Sequence, residues 1–332
     1  MRKLIEKTAA YKLLSAEKQK NRLHHAYLLV FDDKRNLSFT LKTFAKLLLL
    51  KGDGSDDRVS RLIDEGTFAD CPIYPQTDKK FTVTEAERVL EEIELKPVEG
   101  DKKVFIIYDF SEATPQAQNK LLKALEEPPA GVTFLLGASV SYPVLQTILS
   151  RTEKLEILPF SAEEVTDCLY RLYERDDRFT LSELSLCGAA SGGSVGEAQD
   201  VLEGGYYKKL SELAFELVLS TSATLPQAVK KAADLKYKKE LLSLLRLIYK
   251  DALLLKNSER FKIQNAEKRI SLGSEKATLL KVAKKYAFSA LLYAQDELTK
   301  AEKEIFFNAN FAQCLEVHIS RILLNNAYAK DD

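Results

Sequence analysis

Residues Lys103 to Pro129 read KVFIIYDFSEATPQAQNKLLKALEEPP, and the fold turns on this stretch. Val104-Phe105-Ile106-Ile107 is a short β-branched and aromatic run, which predicts a buried strand over Val104 to Tyr108. A helix follows over Thr114 to Glu127. Pro115 sits in its first turn, where the missing N–H costs nothing, and Ala117, Leu121 and Leu125 recur at four-residue spacing on one face. Pro128-Pro129 then stop it.

The same alternation extends outward in both directions. Further strands are expected at Tyr27 to Phe31, Pro72 to Tyr74, Val132 to Leu136 and Leu155 to Ile157. Helices are expected at Ser38 to Leu50 and at Thr84 to Lys96, the second opening on Thr84 and Glu87 at capping-box spacing. Alternating strands and helices imply a mainly parallel sheet with helices covering it. After Pro159 the strand signal stops and helical periodicity takes over. Ser161 to about Glu203 reads as a small helical unit, with Ser161 and Glu164 as its opening cap and Gly204-Gly205 as a linker. From Tyr206 onward, segments such as Lys239 to Lys256 and Ile305 to Asn326 read as a helical bundle. Their apolar faces (Leu241, Leu244, Leu245, Ile248; Phe307, Phe311, Leu315, Ile319) exceed what one small bundle needs, which predicts an oligomerisation surface.

Composition narrows the function classes. The 332 residues suffice for about two or three domains. With 45% hydrophobic and 30% charged residues the chain is neither disordered nor fibrous, and no apolar run reaches the length of a membrane span. Lys and Arg (49) balance Asp and Glu (49), so any nucleic-acid contact is regional rather than a uniformly basic face. Met1 to Lys51 is the one basic region, with twelve basic residues against Glu6, Glu17, Asp32 and Asp33, and a solvated face accounts for it. Cys71, Cys168, Cys187 and Cys314 are far apart, which reads as reduced cytoplasmic thiols and excludes a zinc site built from local cysteine pairs. No metal and no cofactor are expected.

Strand-helix order with an acid at a strand end raises the possibility of a phosphate-binding loop, and the residues fail that test. Such a loop needs glycines that let backbone N–H groups converge, a Lys for the outer phosphates and a hydroxyl for magnesium. None of the 13 glycines is followed by Lys, and after the first strand the chain reads Asp32-Asp33-Lys34-Arg35-Asn36-Leu37-Ser38, with two carboxylates that would repel a triphosphate. The strand at 104–107 runs into Tyr108-Asp109, and tyrosine supplies no carboxylate to magnesium. Asp109 reads as an acid facing water or a helix N-terminus. His24-His25 read as turn or surface positions with no acidic ligand near, and Ser191 to Gly196 as an interhelical turn.

Several runs together resemble the bacterial DNA polymerase III clamp-loader family: Ala117 to Pro129 with its L-L-K-x-L-E-E-P-P pattern, Phe134-Leu135-Leu136, Thr147-Ile148-Leu149-Ser150-Arg151-Thr152, His25-Ala26-Tyr27-Leu28, Gly192 to Ala198, and Asn308-Ala309-Asn310 before Glu316. The resemblance implies an AAA+ type α/β domain over 1–158, a helical lid over 159–205 and a helical collar over 206–332 that assembles the subunits. Within the family this chain departs from the ATPase pattern, with Leu37, Tyr108 and Gly196 standing where the ATP-holding Lys, Asp and Arg would be. Asp53 to Ala69 also lacks the cysteines of the family's zinc module. It therefore resembles the non-hydrolysing delta-prime type. Two further departures are Thr152 for the usual Cys and Phe68-Ala69-Asp70 for a His-Pro-Asp triplet.

From the resemblance follow the expected roles. Arg151, supported by Ser150, is an arginine finger reaching a neighbouring subunit's ATP, although on its residues alone it caps the helical segment Pro143 to Ser150. Lys120 and Lys123 either face DNA phosphates or are simply solvated. The implied partners are gamma/tau and delta subunits, primer-template DNA and, indirectly, the sliding clamp, in the cytoplasm with no membrane. An ATP-hydrolysing gamma/tau-like subunit and a non-replicative helical adaptor are the alternatives.

Overall fold

The structure is a computed structural model that describes residues 1–50, 57–76, 80–140, 142–176, 178–261 and 270–329. Lys51, the end of the basic segment, and Asp53, the start of the cysteine-free stretch, lie outside the described residues. The chain divides into two compact units, Met1–Pro159 and Phe160–Asp332.

The first unit is built on a five-stranded parallel sheet. Its strands are β1 (Ala26–Phe31), β2 (Ile73–Tyr74), β3 (Lys103–Ile107), β4 (Val132–Ala138) and β5 (Glu153–Ile157), in the order β2-β3-β4-β1-β5. The first strand of the chain is thus interior, with Leu28 opposite Leu136 on one side and Lys154 on the other. Every residue of β1, β3 and β4 is buried, because helices cover both faces and leave no polar side to alternate with. On one face Val83–Ile93 and Pro115–Glu126 pack Ala86, Val89, Leu121 and Leu125 over Phe105 and Phe134. Helix Lys34–Leu49 lies against β1, β3 and β4. It approaches so closely that a Cβ on Gly137 of β4 would come 2.5 Å from Leu41 Cδ1.

All five expected strands form, with ends shifted by one or two residues. Three helix starts are corrected. The expected Ser38 start moves to Lys34, because Asp33 caps the backbone there. The capping box at Thr84 and Glu87 does not form. Thr82 is the N-cap and makes no side-chain bond, while Phe81 just before it and Ala86 in the first turn are buried in one cluster, so burial of an apolar pair sets the helix entry. The helical segment Pro143 to Ser150 shrinks to Gln146–Leu149. Pro115–Glu126 begins as expected, with Thr114 accepting from the Ala117 N–H at 3.2 Å.

The second unit is helical throughout its described residues. Ala162–Leu172 opens with the expected capping box of Ser161 and Glu164. Leu181–Ala190 has a second one, Thr180 with Glu183, and Val195–Glu203 follows the turn at Gly192 and Gly193, both at positive φ. The expected interhelical turn at Ser191 to Gly196 is present but shorter: it ends at the N-cap Ser194, and Val195 and Gly196 already belong to the next helix. Tyr207–Leu219, Leu225–Ala233, Lys238–Phe261, Lys276–Lys285, Phe288–Phe306 and Phe311–Tyr328 complete the unit. The segment Ile305 to Asn326 is not one helix. Asn308 takes a left-handed φ of 65° and Asn310 caps a new start, turning the chain back on itself.

This turn overturns the surplus of apolar surface expected from the sequence. Leu241, Leu244, Leu245, Ile248, Phe311, Leu315 and Ile319 are all buried within the unit, because the long helix 238–261 packs on 288–306 and that on 311–328. Of the eight, only Phe307 remains outside, 79% exposed beside the 80% exposed Phe306. Where helices 162–172 and 181–190 cross, a Cβ on Gly188 would lie 2.9 Å from Thr166 N and 3.0 Å from its Cα, besides striking Oγ1. Gly188→Ala is therefore expected to cost about 1–3 kcal/mol as the helices are forced apart, read as a lower urea midpoint at unchanged m. An unchanged midpoint contradicts the close crossing.

Candidate functional site

The helix that follows β1 in this topology points its free N–H groups at the place where a phosphate would bind. Here the chain fills that place itself. Asp33, buried, accepts from the Asn36 backbone N–H at 3.1 Å and from Asn36 Nδ2 at 3.0 Å and 3.1 Å. Lys34 is drawn away to two carboxylates, at 3.1 Å from Asp109 Oδ2 and in close contact with Glu112. Glu112 and then Asp109 hold the ammonium protonated, above the usual lysine range. The Tyr108 hydroxyl donates to the Lys34 carbonyl at 3.1 Å, and burial followed by the Asp109 charge raises its pKa. Leu37 is fully buried.

Asp109 is corrected: it faces neither water nor the N-terminus of an α-helix. It is buried at a left-handed φ of 46°, receives Ser111 Oγ at 2.6 Å and Ser139 Oγ at 3.3 Å, and precedes only the single turn Phe110–Glu112. An acid spent on two hydroxyls and a lysine is a structural anchor. Gly196 is buried inside helix Val195–Glu203.

Arg151 lies in a cleft of about 460 Å³ lined by His24, His25, Glu126, Ser150 and Glu153. Its guanidinium does two things at once. Nη1 donates to the Thr147 carbonyl at 2.9 Å and to Ser150 Oγ at 3.2 Å, so the capping role exists on the short helix Gln146–Leu149 and Ser150 supports it. Nε donates to Glu126 Oε1 at 2.6 Å, with Nη2 also on that oxygen. The fold thereby joins the two most distinctive runs of the sequence, the end of L-L-K-x-L-E-E-P-P and the Ser-Arg pair. Glu126 is a site residue that the sequence alone does not mark as one. Its place in the L-L-K-x-L-E-E-P-P run and in the last turn of helix 115–126 is the signal the sequence carries, and the pairing across 25 residues needs the fold.

The floor of the cleft is formed by the entry to β1. His25 Nε2 is 2.7 Å from the Leu125 carbonyl, and His24 Nε2 is 3.5 Å from Glu153 Oε2, so an acid does stand beside this pair. Burial, and then Glu17, raise the Glu153 carboxyl above its ordinary range. Lys120 and Lys123 are exposed on helix 115–126, Lys120 3.1 Å from Glu87 Oε1. They are not in the cleft. A side chain 32% exposed, held by a partner 46% exposed, leaves Arg151 available. Exposed ion pairs contribute only about 0–1 kcal/mol, whereas guanidinium on a phosphate makes two parallel charge-assisted bonds.

These features define a parallel α/β unit whose helix after β1 is capped by its own Asp33 and whose arginine is half-exposed. A family model described as DNA polymerase III, delta subunit, matches residues 6–161. The delta' subunit of DNA polymerase III from Bacillus subtilis is 31% identical over 174 residues, covering 50% of this chain and 50% of that protein. The tau subunit from Salmonella typhimurium is 30% identical over 188 residues, covering 53% of this chain and 28% of that protein. Among solved structures, a gamma subunit-related protein of DNA polymerase III from Thermotoga maritima aligns with 99% of this chain and 93% of its own at 16% identity and a TM-score of 0.39. The chain spans half or less of the length of these two curated relatives. Over residues 6–161 the chain is thus similar to subunits of the DNA polymerase III clamp loader.

Proposed function

We propose that the chain acts as the delta-prime-type subunit of a bacterial sliding-clamp loader, hydrolysing no ATP itself and presenting Arg151 to the ATP of a neighbouring subunit. The observation that carries this reading is the Asp33 carboxylate on the N-terminus of helix 34–49, with Lys34 committed to Asp109 and Glu112. A triphosphate brought there meets negative charge where it needs donors. In this reading 206–332 is the collar that assembles with gamma/tau and delta subunits, and 159–205 is the former lid. The assembly works in the cytoplasm on primer-template DNA, reaching the sliding clamp indirectly, with Lys120 and Lys123 as candidates for phosphate contact. Among the described residues, no helix is long and apolar enough to cross a membrane.

Titration calorimetry of the full chain with Mg·ATP is expected to give no binding heat in the micromolar range. Micromolar binding, together with turnover by the chain alone, would favour instead an ATP-hydrolysing gamma/tau-like subunit, the reading favoured by the 30% identity to the Salmonella tau subunit. Co-purification with gamma/tau and delta from one source, set against a chain cut at Tyr206, tests the collar. Equal recovery of the shortened chain removes it.

A further inference from the structure

In the second unit, helices 288–306 and 311–328 run back to back across the turn at 307–310, and three side chains of different chemistry converge there. Cys314 and His318, four residues apart on one helix face, are buried, and Glu304 reaches them from the last turn of the preceding helix. Glu304 Oε2 is 3.2 Å from His318 Nε2 and 3.5 Å from Cys314 Sγ, and the three donor atoms lie within 4.8 Å of one another. A tetrahedral zinc ion with ordinary bond lengths sets its N···O and S···O edges at about 3.3 Å and about 3.5 Å.

The far side of the ring points the same way. His318 Nδ1 is 2.8 Å from Oε2 of Glu297, a buried carboxylate that Lys300 holds at 2.6 Å and Arg321 at 3.4 Å. The ring thus stands between two carboxylates, with Nδ1 facing Glu297 and Nε2 facing Glu304. A carboxylate behind a histidine is also the arrangement that fixes tautomer and ring orientation at metal centres. The charges balance: one carboxylate and one thiolate neutralise a divalent ion, and the charge of Glu297 is met by Lys300 and Arg321.

We propose that Glu304, Cys314 and His318 form a site for a zinc-class divalent ion, with Glu297 as the residue that positions His318. Sulfur, nitrogen and carboxylate oxygen together select this class over magnesium or calcium. Binding displaces the thiol proton to solvent as the metal–sulfur bond forms. The fourth position opens on the side of the half-exposed Glu304 and takes water. The ion clamps the two helices that carry the exposed Phe306-Phe307 corner between them.

The full chain, stripped with chelator, is titrated with Co²⁺ and then Zn²⁺. One equivalent of Co²⁺ is expected to bring up a thiolate-to-metal charge-transfer band with tetrahedral visible absorption, both bleached by Zn²⁺. Cys314→Ser should abolish the charge-transfer band, and Glu304→Ala, at an exposed position that leaves packing intact, should weaken Zn²⁺ at least tenfold. Glu297→Gln should keep the band but weaken affinity roughly 10–100-fold, as loss of an orienting carboxylate does. No band at one equivalent, a band that survives Cys314→Ser through the other three thiols, or unchanged affinity in Glu304→Ala each overturns the site.

Discussion

In the proposed role, replacing Arg151 by Ala should lower ATP hydrolysis at the one neighbouring site it serves by about 10³-fold or more, the range seen when a finger arginine is lost in GTPase systems. A finger guanidinium neutralises charge that develops on the transferred phosphoryl group, so on this reading its absence is felt in the transition state and not in assembly. The variant should still fold, because what it gives up locally is an exposed pair with Glu126 and bonds to Thr147 and Ser150. Lysine should rescue poorly: a point ammonium cannot grip two oxygens at once. Single-turnover hydrolysis in the reconstituted complex reads the affected site, while steady-state turnover falls only in part if other sites keep their own arginines. An unchanged single-turnover rate would leave Arg151 as a helix cap. Glu126→Gln separates the two roles further, since it frees the guanidinium without removing it.

The second large effect concerns a change that looks like a repair. Leu37→Lys places a lysine where the resemblance to clamp-loader ATPases would have one, yet it should destabilise the first unit by roughly 3–5 kcal/mol, the scale of an uncompensated buried charge. Leu37 is fully buried, and the buried carboxylates of this region, Asp33 and Asp109, are already bonded to Asn36 and Lys34. Against a typical total of about 5–15 kcal/mol this is a large fraction, visible as a lower thermal or urea midpoint. ATP should not bind the variant. A variant of unchanged stability that gains micromolar ATP would mean that the helix start is a dormant phosphate site.

Much of the first unit was legible because buried parallel strands write themselves as unbroken apolar runs, as Leu28-Leu29-Val30 and Phe105-Ile106-Ile107 do. Thr114 with Pro115, and Ser161 with Glu164, announced helix starts through local chemistry alone. What misled was local chemistry outbid by burial. Thr84 and Glu87 had capping spacing, but Phe81 had a core to enter. The 305–326 segment had helical periodicity, and one left-handed Asn308 broke it. That break also explains the false surplus of apolar surface: a single helix has one partner face, two antiparallel helices have each other. At the candidate site, the missing glycines and the two carboxylates after β1 were readable. The partners of Arg151 and of Lys34 were not, since Glu126 closes helix 115–126 and Glu112 the turn after β3, and both meet their partners only once the chain is folded.

A domain that binds nucleotide gains stability from its ligand in proportion to the logarithm of occupancy, so its rigidity rises and falls with cellular supply. Asp33 on the helix start and Lys34 between Asp109 and Glu112 give the first unit internal substitutes for the anion and the cation that such a domain would take from solution. Those substitutes are tethered and therefore always at saturating concentration. The unit should show the same melting curve in starved and energised cells, in ATP, ADP or neither, and so behave in any assembly as a part whose shape carries no record of the energy state.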